Sequence, residues 1–226
     1  GDLSTEAGLE VVPVVQRKII ALCQKHCKLS IVATQMMASM VDNPEPTRAE
    51  VSDVATAAIE GADVVMLSEE TAMGHYPIEA VQAMKKTILY AQEHLPVNPL
   101  YVREGSDVHR DSIAESAVMM AQRTEADAIV VETSSGKMAR NIAIHRPKCP
   151  ILAVAPSDRV ANQTSLLYAT HGFYGQAGEG VAVAQRLFNE GFFGKDPATI
   201  IVVKRSPETA QSSIANTIQL QVLGAQ

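Results

Sequence analysis

Residues 29–81 read LSIVATQMMASMVDNPEPTRAEVSDVATAAIEGADVVMLSEETAMGHYPIEAV, and the alternation of apolar and polar runs in this stretch decides the fold class. Two short apolar, β-branched runs, LSIVA (Leu29 to Ala33) and DVVML (Asp63 to Leu67), have the length and composition of strands buried on both faces. Between them Thr47 stands where a helix N-cap belongs, with Glu50 at the capping-box spacing and Val51, Val54 and Ala58 as the inward stripe. After the second run comes the polar loop SEETAMGHY, then a helix expected from Pro77, since proline suits a first turn. Its apolar face would be Val81, Met84 and Ile88. Upstream, Val15, Ile19 and Leu22 predict an amphipathic helix between Leu9 and Cys27. The order helix, strand, helix, strand, helix demands parallel strands with right-handed crossovers. Two such strands do not make a stable sheet alone, so this half is expected to belong to a larger one, with exposed strand edges and helix faces when taken by itself.

The stretch LPVNPLYVREGSDVH (Leu95 to His109) has no period and reads as a linker. Beyond it the pattern restarts. A helix is expected from Ser112 to Arg123, then the strand AIVVE (Ala128 to Glu132), the loop TSSG and a helix from Lys137. The strand ILAVA (Ile151 to Ala155), a short helix after Asp158, a strand near Phe173 and a helix from Gly180 to Asn189 follow. ATIIVVK (Ala198 to Lys204) is the strongest strand signal, and NTIQLQVL alternates with period two, as a half-buried strand antiparallel to its predecessor would. This half predicts a small α/β domain with a mixed sheet covered by helices.

The composition of the 226-residue chain, 46% hydrophobic and 19% charged, is that of a folded globular protein. Its length falls short of the roughly 250 residues of a closed eight-fold β/α barrel. A formal net charge of −6 without any Lys/Arg block argues against nucleic-acid or anionic-membrane partners. Three cysteines, an odd number, favour a reducing compartment, and no apolar run has the length of a membrane span. The start at Gly1-Asp2 lacks a signal-peptide pattern and an initiator Met, so the expectation is a cytoplasmic chain that has been cut from something longer or processed.

In parallel α/β architectures ligands sit at the carboxyl ends of strands, which singles out Gly1-Asp2, Thr34-Gln35, Ser68 to Thr71 and Thr133 to Lys137. Asp2 with a glutamate suits a hard cation such as Mg²⁺, and a threonine hydroxyl can touch substrate or relay a proton. For Glu69 and Glu70 the plainer reading is helix capping and solvation at the surface. The TSSGK loop (Thr133 to Lys137) offers hydroxyls, backbone amides and a positive charge to a phosphate, but equally an ordinary N-cap by Ser134 or Ser135. Cys23, His26 and Cys27 lack a second cluster for zinc and read as helix residues in a reducing environment. Met36, Met37 and Met40 read as packing residues.

The landmarks taken together, TQM at Thr34, NPEPTRAE (Asn43 to Glu50), SDVA (Ser52 to Ala55) and VMLSEETAMGHYPIEAV (Val65 to Val81), resemble the signature runs of the pyruvate kinase family. The opening GDL is similar to that family's metal-binding segment, with Ser4 where a glycine is usual, and ANTIQLQVL (Ala215 to Leu223) to its last strand. The resemblance implies a partial (β/α)8 TIM barrel over residues 1–94, a linker over 95–110 and a C-terminal α/β domain over 111–226, concerned with effector binding or assembly. The chain would start at the end of the sixth barrel strand and hold strands seven and eight.

The resemblance further implies phosphoryl transfer from phosphoenolpyruvate to ADP, giving pyruvate and ATP in glycolysis, with Mg²⁺ or Mn²⁺ and K⁺, in a cytoplasmic homotetramer. Asp2 matches the metal carboxylate, the amides of Gly1 and Asp2 match the backbone that touches the substrate carboxylate, and Thr34 matches the hydroxyl beside the carbon that becomes protonated. Arg48 and Glu50 match a structural ion-pair segment near the site. Thr133, Ser134, Ser135 and Lys137 match an allosteric phosphate loop for a sugar phosphate or a nucleotide. The second metal carboxylate, the phosphate-contacting lysine and arginine, the K⁺ ligands and the lid lie upstream in the family, so the 226 residues alone are expected to be inactive. Glu69, Met73 and Met138 depart from the family pattern, and SPETAQSS (Ser206 to Ser213) replaces its glycine-rich effector loop. Two rival readings are a non-catalytic phosphometabolite-binding regulatory or assembly module, and an unrelated phosphate-binding barrel.

Overall fold

Ile31–Ala33 (β1) and Val64–Met66 (β2) pair in parallel, Ile31 opposite Val64 and Ala33 opposite Met66. This pairing, in a computed structural model of the chain, brings the loops after both strands to one end. The structure describes residues 6, 8–95, 97, 108–205 and 216–224. The expectations for Gly1, Asp2, most of the 95–110 segment and the SPETAQSS loop lie outside these residues. The chain divides into two compact units, residues 1–103 and 104–226.

In the first unit Val12–Lys25 (α1) follows a 3₁₀ turn at Leu9–Val11 and precedes β1. Between the strands lie a 3₁₀ turn at Ala38–Val41 and Arg48–Ile59 (α2). Glu69–Ala72 (α3) and Pro77–His94 (α4) follow β2. The core is methionine-rich: Met36, Met37, Met40 and Met84 pack with Val54 and Ala80, as the packing reading of the methionines expected. At the amino ends of the strands Asp63 Oδ2 accepts from both the amide and the hydroxyl of Ser30, at 3.0 and 3.1 Å, and locks their register.

The inward faces of two helices differ from those expected. Ile19 and Leu22 are 51% and 54% exposed, and α1 buries Ile20 and Gln24 instead. The working stripe runs at four-residue spacing through Gln16, Ile20 and Gln24, because the helix docks on a backbone turn. Gln24 Nε2 donates to the Gly61 carbonyl at 3.0 Å and Gln16 Nε2 to Glu60 Oε2 at 3.1 Å. On α4 Val81 is exposed and the buried residues are Ala80, Met84 and Ala91. The apolar side chains left outward, Val14, Ile19, Leu22, Ile31, Met66 and Val81, give the uncovered edges and faces expected of part of a barrel.

The second unit contains Val108–Arg123 (α5), Ala128–Glu132 (β3), Lys137–Ala143 (α6), Ile151–Ala155 (β4), Asp158–Thr164 (α7), Thr170–Tyr174 (β5), Gly180–Asn189 (α8), Ala198–Arg205 (β6) and Asn216–Leu223 (β7). The sheet order is β5-β4-β3-β6-β7, parallel throughout except for β7, which runs antiparallel to β6. On one face Val130, Leu152, Val154, Ile200 and Val202 pack against Val183, Ala184 and Leu187 of α8. The alternate residues Ile129, Val131, Ala153, Ile201 and Val203 are buried as well. The central strands are therefore covered on both sides, which is why their sequences are unbroken apolar runs. The mixed sheet is the one predicted. Helix α5 starts at Val108, earlier than the expected Ser112.

Candidate functional site

Chain order in the second sheet reverses between β3 and β6, since β3, β4 and β5 step outward on one side and β6 returns to the other. Such a switch point opens a crevice at the carboxyl ends of the strands. The loop after β3 that borders it is Thr133 to Gly136. Thr133 is buried, its amide donates to the Val154 carbonyl at 2.9 Å, and its Oγ1 accepts from the Gly136 amide at 3.0 Å. Gly136 has φ 74°, which favours glycine, and a Cβ there would crowd Thr164 Cγ2 at 3.1 Å. Neither Ser134 nor Ser135 caps α6; no side chain does. That corrects the N-cap reading. Thr133 closes the turn, and Ser134, Ser135 and Lys137 are left exposed at the crevice.

Glu132, the last residue of β3, carries no role in the sequence reading. Its carboxylate accepts the amides of Gly178 at 2.9 Å and Gly180 at 3.0 Å, filling the N-terminal end of α8 with an internal anion. A Cβ on Gly180 would come 2.8 Å from Glu132 Oε1, so glycine is what lets the carboxylate approach. Nothing in a β-strand glutamate signals a partner 46 residues away.

The second strand-end constellation is at β1 and β2. Thr34 and Gln35 leave β1 in the left-handed region, φ 71° and 57°. For non-glycine residues, one of them β-branched, this conformation costs on the order of 1–3 kcal/mol each and persists only where the surroundings impose it. Thr34 is exposed, and its hydroxyl donates to the Ala33 carbonyl at 2.6 Å, which fixes its rotamer at the strand end. What imposes the turn is visible next to it. Met36 and Met37 plunge into the core, and the Met37 amide donates to Glu70 Oε1 at 3.1 Å. Glu70 Oε2 accepts the Ser68 amide at 2.7 Å. Glu70 is 2% exposed, so its surface-solvation reading is corrected; Glu69 alone is exposed.

Glu50 organises the floor of the same loop. The expected capping box forms, with Thr47 Oγ1 accepting the Glu50 amide at 3.3 Å and Glu50 Oε2 accepting the Thr47 amide at 2.8 Å. The same carboxylate takes the Ser39 amide at 2.7 Å and the Ser39 hydroxyl at 2.6 Å. Partial burial pushes the Glu50 carboxyl up, but the hydrogen bonds from Ser39 and Thr47 outweigh it and hold it below the usual carboxylate range. Arg48 is exposed and makes no ion pair among the described residues, so the Glu50 partners are Ser39 and Thr47. At the rim Gly74 has no room for a side chain: a Cβ would lie 2.6 Å from the Glu70 carbonyl oxygen.

No group of three or more His, Cys, Asp or Glu side chains among the described residues is placed to hold a metal ion. Cys23, Cys27 and Cys149 are free thiols, and burial pushes Cys149 up to about 11. No helix among the described residues is long and apolar enough to cross a membrane.

Comparison with known proteins agrees with both halves of the chain. The family model for the pyruvate kinase barrel domain matches residues 1–81, and that for the pyruvate kinase alpha/beta domain matches residues 111–221. Pyruvate kinase of Clostridium acetobutylicum is 35% identical over 231 aligned residues, covering 99% of this chain and 48% of the relative. That of Agrobacterium vitis is 38% identical over 229, covering 98% and 48%. Pyruvate kinase 2 of Synechocystis is 43% identical over 168 residues, covering 74% and 28%. The chain spans about half the length of the first two of these curated relatives.

Proposed function

Since the chain belongs to the pyruvate kinase family, we propose that it is the part of a pyruvate kinase holding the last barrel strands, over residues 1–94, and the C-terminal α/β domain, over 111–226, joined by a linker at 95–110 whose last three residues already belong to the first turn of α5. The activity it serves is transfer of the phosphoryl group of phosphoenolpyruvate to ADP in the cytoplasm. The observation that carries this reading is the strained Thr34 turn at the carboxyl end of a parallel strand, its hydroxyl exposed where substrate would sit.

In the reaction the bond between phosphorus and the enol oxygen breaks, a new one forms to a terminal β-phosphate oxygen of ADP, and the released enolate takes a proton on its methylene carbon. We assign Thr34 to that step, delivering the proton directly once its hydroxyl turns from the Ala33 carbonyl, or by way of an adjoining water; its exposure at the strand end supports the role. The amides of Gly1 and Asp2 hold the substrate carboxylate. A divalent cation, Mg²⁺ or Mn²⁺, would stabilise phosphoryl charge. Hard cations take several oxygen ligands; the one this sequence offers is Asp2, and the described residues contain no metal cluster of their own. Asp2 would be one ligand of such a site, and K⁺ has no ligand assigned among the described residues. The test is pyruvate formation from phosphoenolpyruvate and ADP by the protein encoded by the complete gene, with Mg²⁺ and K⁺ present. Absence of turnover sinks the proposal.

A second reading, compatible with the first, is favoured by the exposed Ser134, Ser135 and Lys137 at the switch-point crevice. They offer donors and a charge to a phosphorylated effector, a sugar phosphate or a nucleotide, in a homotetrameric assembly. Calorimetry with sugar phosphates and AMP is expected to detect binding that Lys137→Ala weakens about 10-fold or more, the loss of one charge-assisted contact. Unchanged binding in the variant removes Lys137 from the site.

A further inference from the structure

A carboxylate that is 2% exposed and spent on two backbone amides, on the short helix α3 whose other residues are exposed, calls for a reason. The two amides belong to different segments. Met37 lies three residues beyond Thr34, on the loop after β1, and Ser68 two residues beyond Met66, on the loop after β2. Glu70 thus bridges the mouths of two neighbouring parallel strands across 33 residues of sequence. The bridge is rigid at both ends: Met37 is fully buried in the methionine core, and Ser68 begins the turn that carries Glu70 itself, its carbonyl accepting the Thr71 and Ala72 amides. Between β1 and the Met37 anchor the chain has only Thr34, Gln35 and Met36 in which to turn, and two of them adopt the left-handed conformation. The anchor and the strained turn are one device. If the Met37 amide is released, the core packing of Met36 and Met37 is what remains to hold Thr34 at φ 71°, and the turn loses its one hydrogen bond to the neighbouring strand end.

We propose that Glu70 is a positioning residue for the proton-transfer step, its buried carboxylate clamping the Met37 and Ser68 amides so that the Thr34 hydroxyl stays fixed at the mouth of the strands. The inference rests on the functional reading of Thr34 given above. Glu70 does not touch substrate; it acts through the backbone that sets the direction of Thr34. Both amides need an acceptor oxygen, and a glutamine has only one, so Glu70→Gln frees one of them and faces it with an NH₂ group.

The experiment uses the protein encoded by the complete gene. Glu70→Gln is expected to lower kcat by about 10- to 100-fold per folded active site, since a small misplacement of a reacting group has effects of this size. KM for phosphoenolpyruvate and ADP should stay within about twofold, because binding groups are untouched. Exchange of pyruvate methyl protons with solvent deuterium, which reads the proton step without phosphoryl transfer, should fall in the same ratio as kcat. Glu70→Asp, which keeps the charge but falls one methylene short of spanning both amides, should be impaired in the same sense; it replaces the glutamine variant if that one does not fold. An undiminished kcat per folded site in the variant, or a loss confined to KM, overturns the role given to Glu70. Wild-type protein run alongside separates the two claims: its failure to turn over sinks the functional reading, whereas wild-type turnover matched by the variant sinks only this inference.

Discussion

Replacing Thr34 by Ala in the protein encoded by the complete gene is expected to lower kcat by about 100- to 10,000-fold, the usual worth of a positioned proton donor. The substitution is mild for the fold. Thr34 is exposed, its one hydrogen bond runs to the adjacent Ala33 carbonyl, and alanine tolerates φ 71° no worse than a β-branched residue does. The melting temperature should therefore change little while turnover collapses. Thr34→Ser, which keeps the hydroxyl but loses the γ-methyl that helps hold the rotamer, should retain most of the activity. Steady-state kinetics paired with pyruvate methyl-proton exchange decide the matter. If exchange survives in the alanine variant, another group delivers the proton and Thr34 only lines the site.

The second large effect concerns the sheet that supports the crevice. Leu152 is the second residue of β4, a strand central in the sheet, and is fully buried, with parallel neighbours on both sides and the Val183–Leu187 face of α8 above it. Leu152→Ala removes three buried carbons from a region with strands on both edges and a helix across the face, so the surroundings have little freedom to collapse into the space. The expected loss is about 3–5 kcal/mol, against a typical total of about 5–15 kcal/mol for a domain. Leu220→Ala is the matched control, since Leu220 on β7 is 43% exposed and leaves a gap that water fills; its cost should stay below about 1 kcal/mol. Urea unfolding of both variants measures the difference, and equal midpoints would contradict the core assigned to this unit.

How much of this was legible in the sequence differs between strands, helices and loops, for physical reasons. Strands buried on both faces announce themselves as unbroken apolar runs, so AIVVE, ILAVA and ATIIVVK were readable, as was the antiparallel β7 from its alternation. The capping box of Thr47 and Glu50 was readable because both partners lie within one turn. The inward stripe of α1 was not. Apolar periodicity pointed to Ile19 and Leu22, but the helix docks on the Glu60-Gly61 turn through two glutamines, and hydrophobicity carries no signal for a polar docking surface. The site was legible in part. Thr34 stood out as the residue after a strand, whereas its left-handed conformation and the Glu70 clamp depend on the register of β1 against β2, which brings together residues 33 apart. The Glu132 carboxylate at the start of α8 was hidden for the same reason.

The most direct measurement of the central claim is pyruvate formation by the protein encoded by the complete gene, wild type against Asp2→Ala, at saturating phosphoenolpyruvate, ADP, Mg²⁺ and K⁺. Asp2 is the one cation carboxylate that the reading places in this chain, and metal stabilisation of the phosphoryl oxygens supplies several kcal/mol in such reactions. Wild-type turnover reduced by about 1000-fold or more in the variant, with partial recovery at raised Mn²⁺, is the result predicted. A wild-type protein that forms no pyruvate, or an Asp2→Ala variant as active as the wild type, would contradict it.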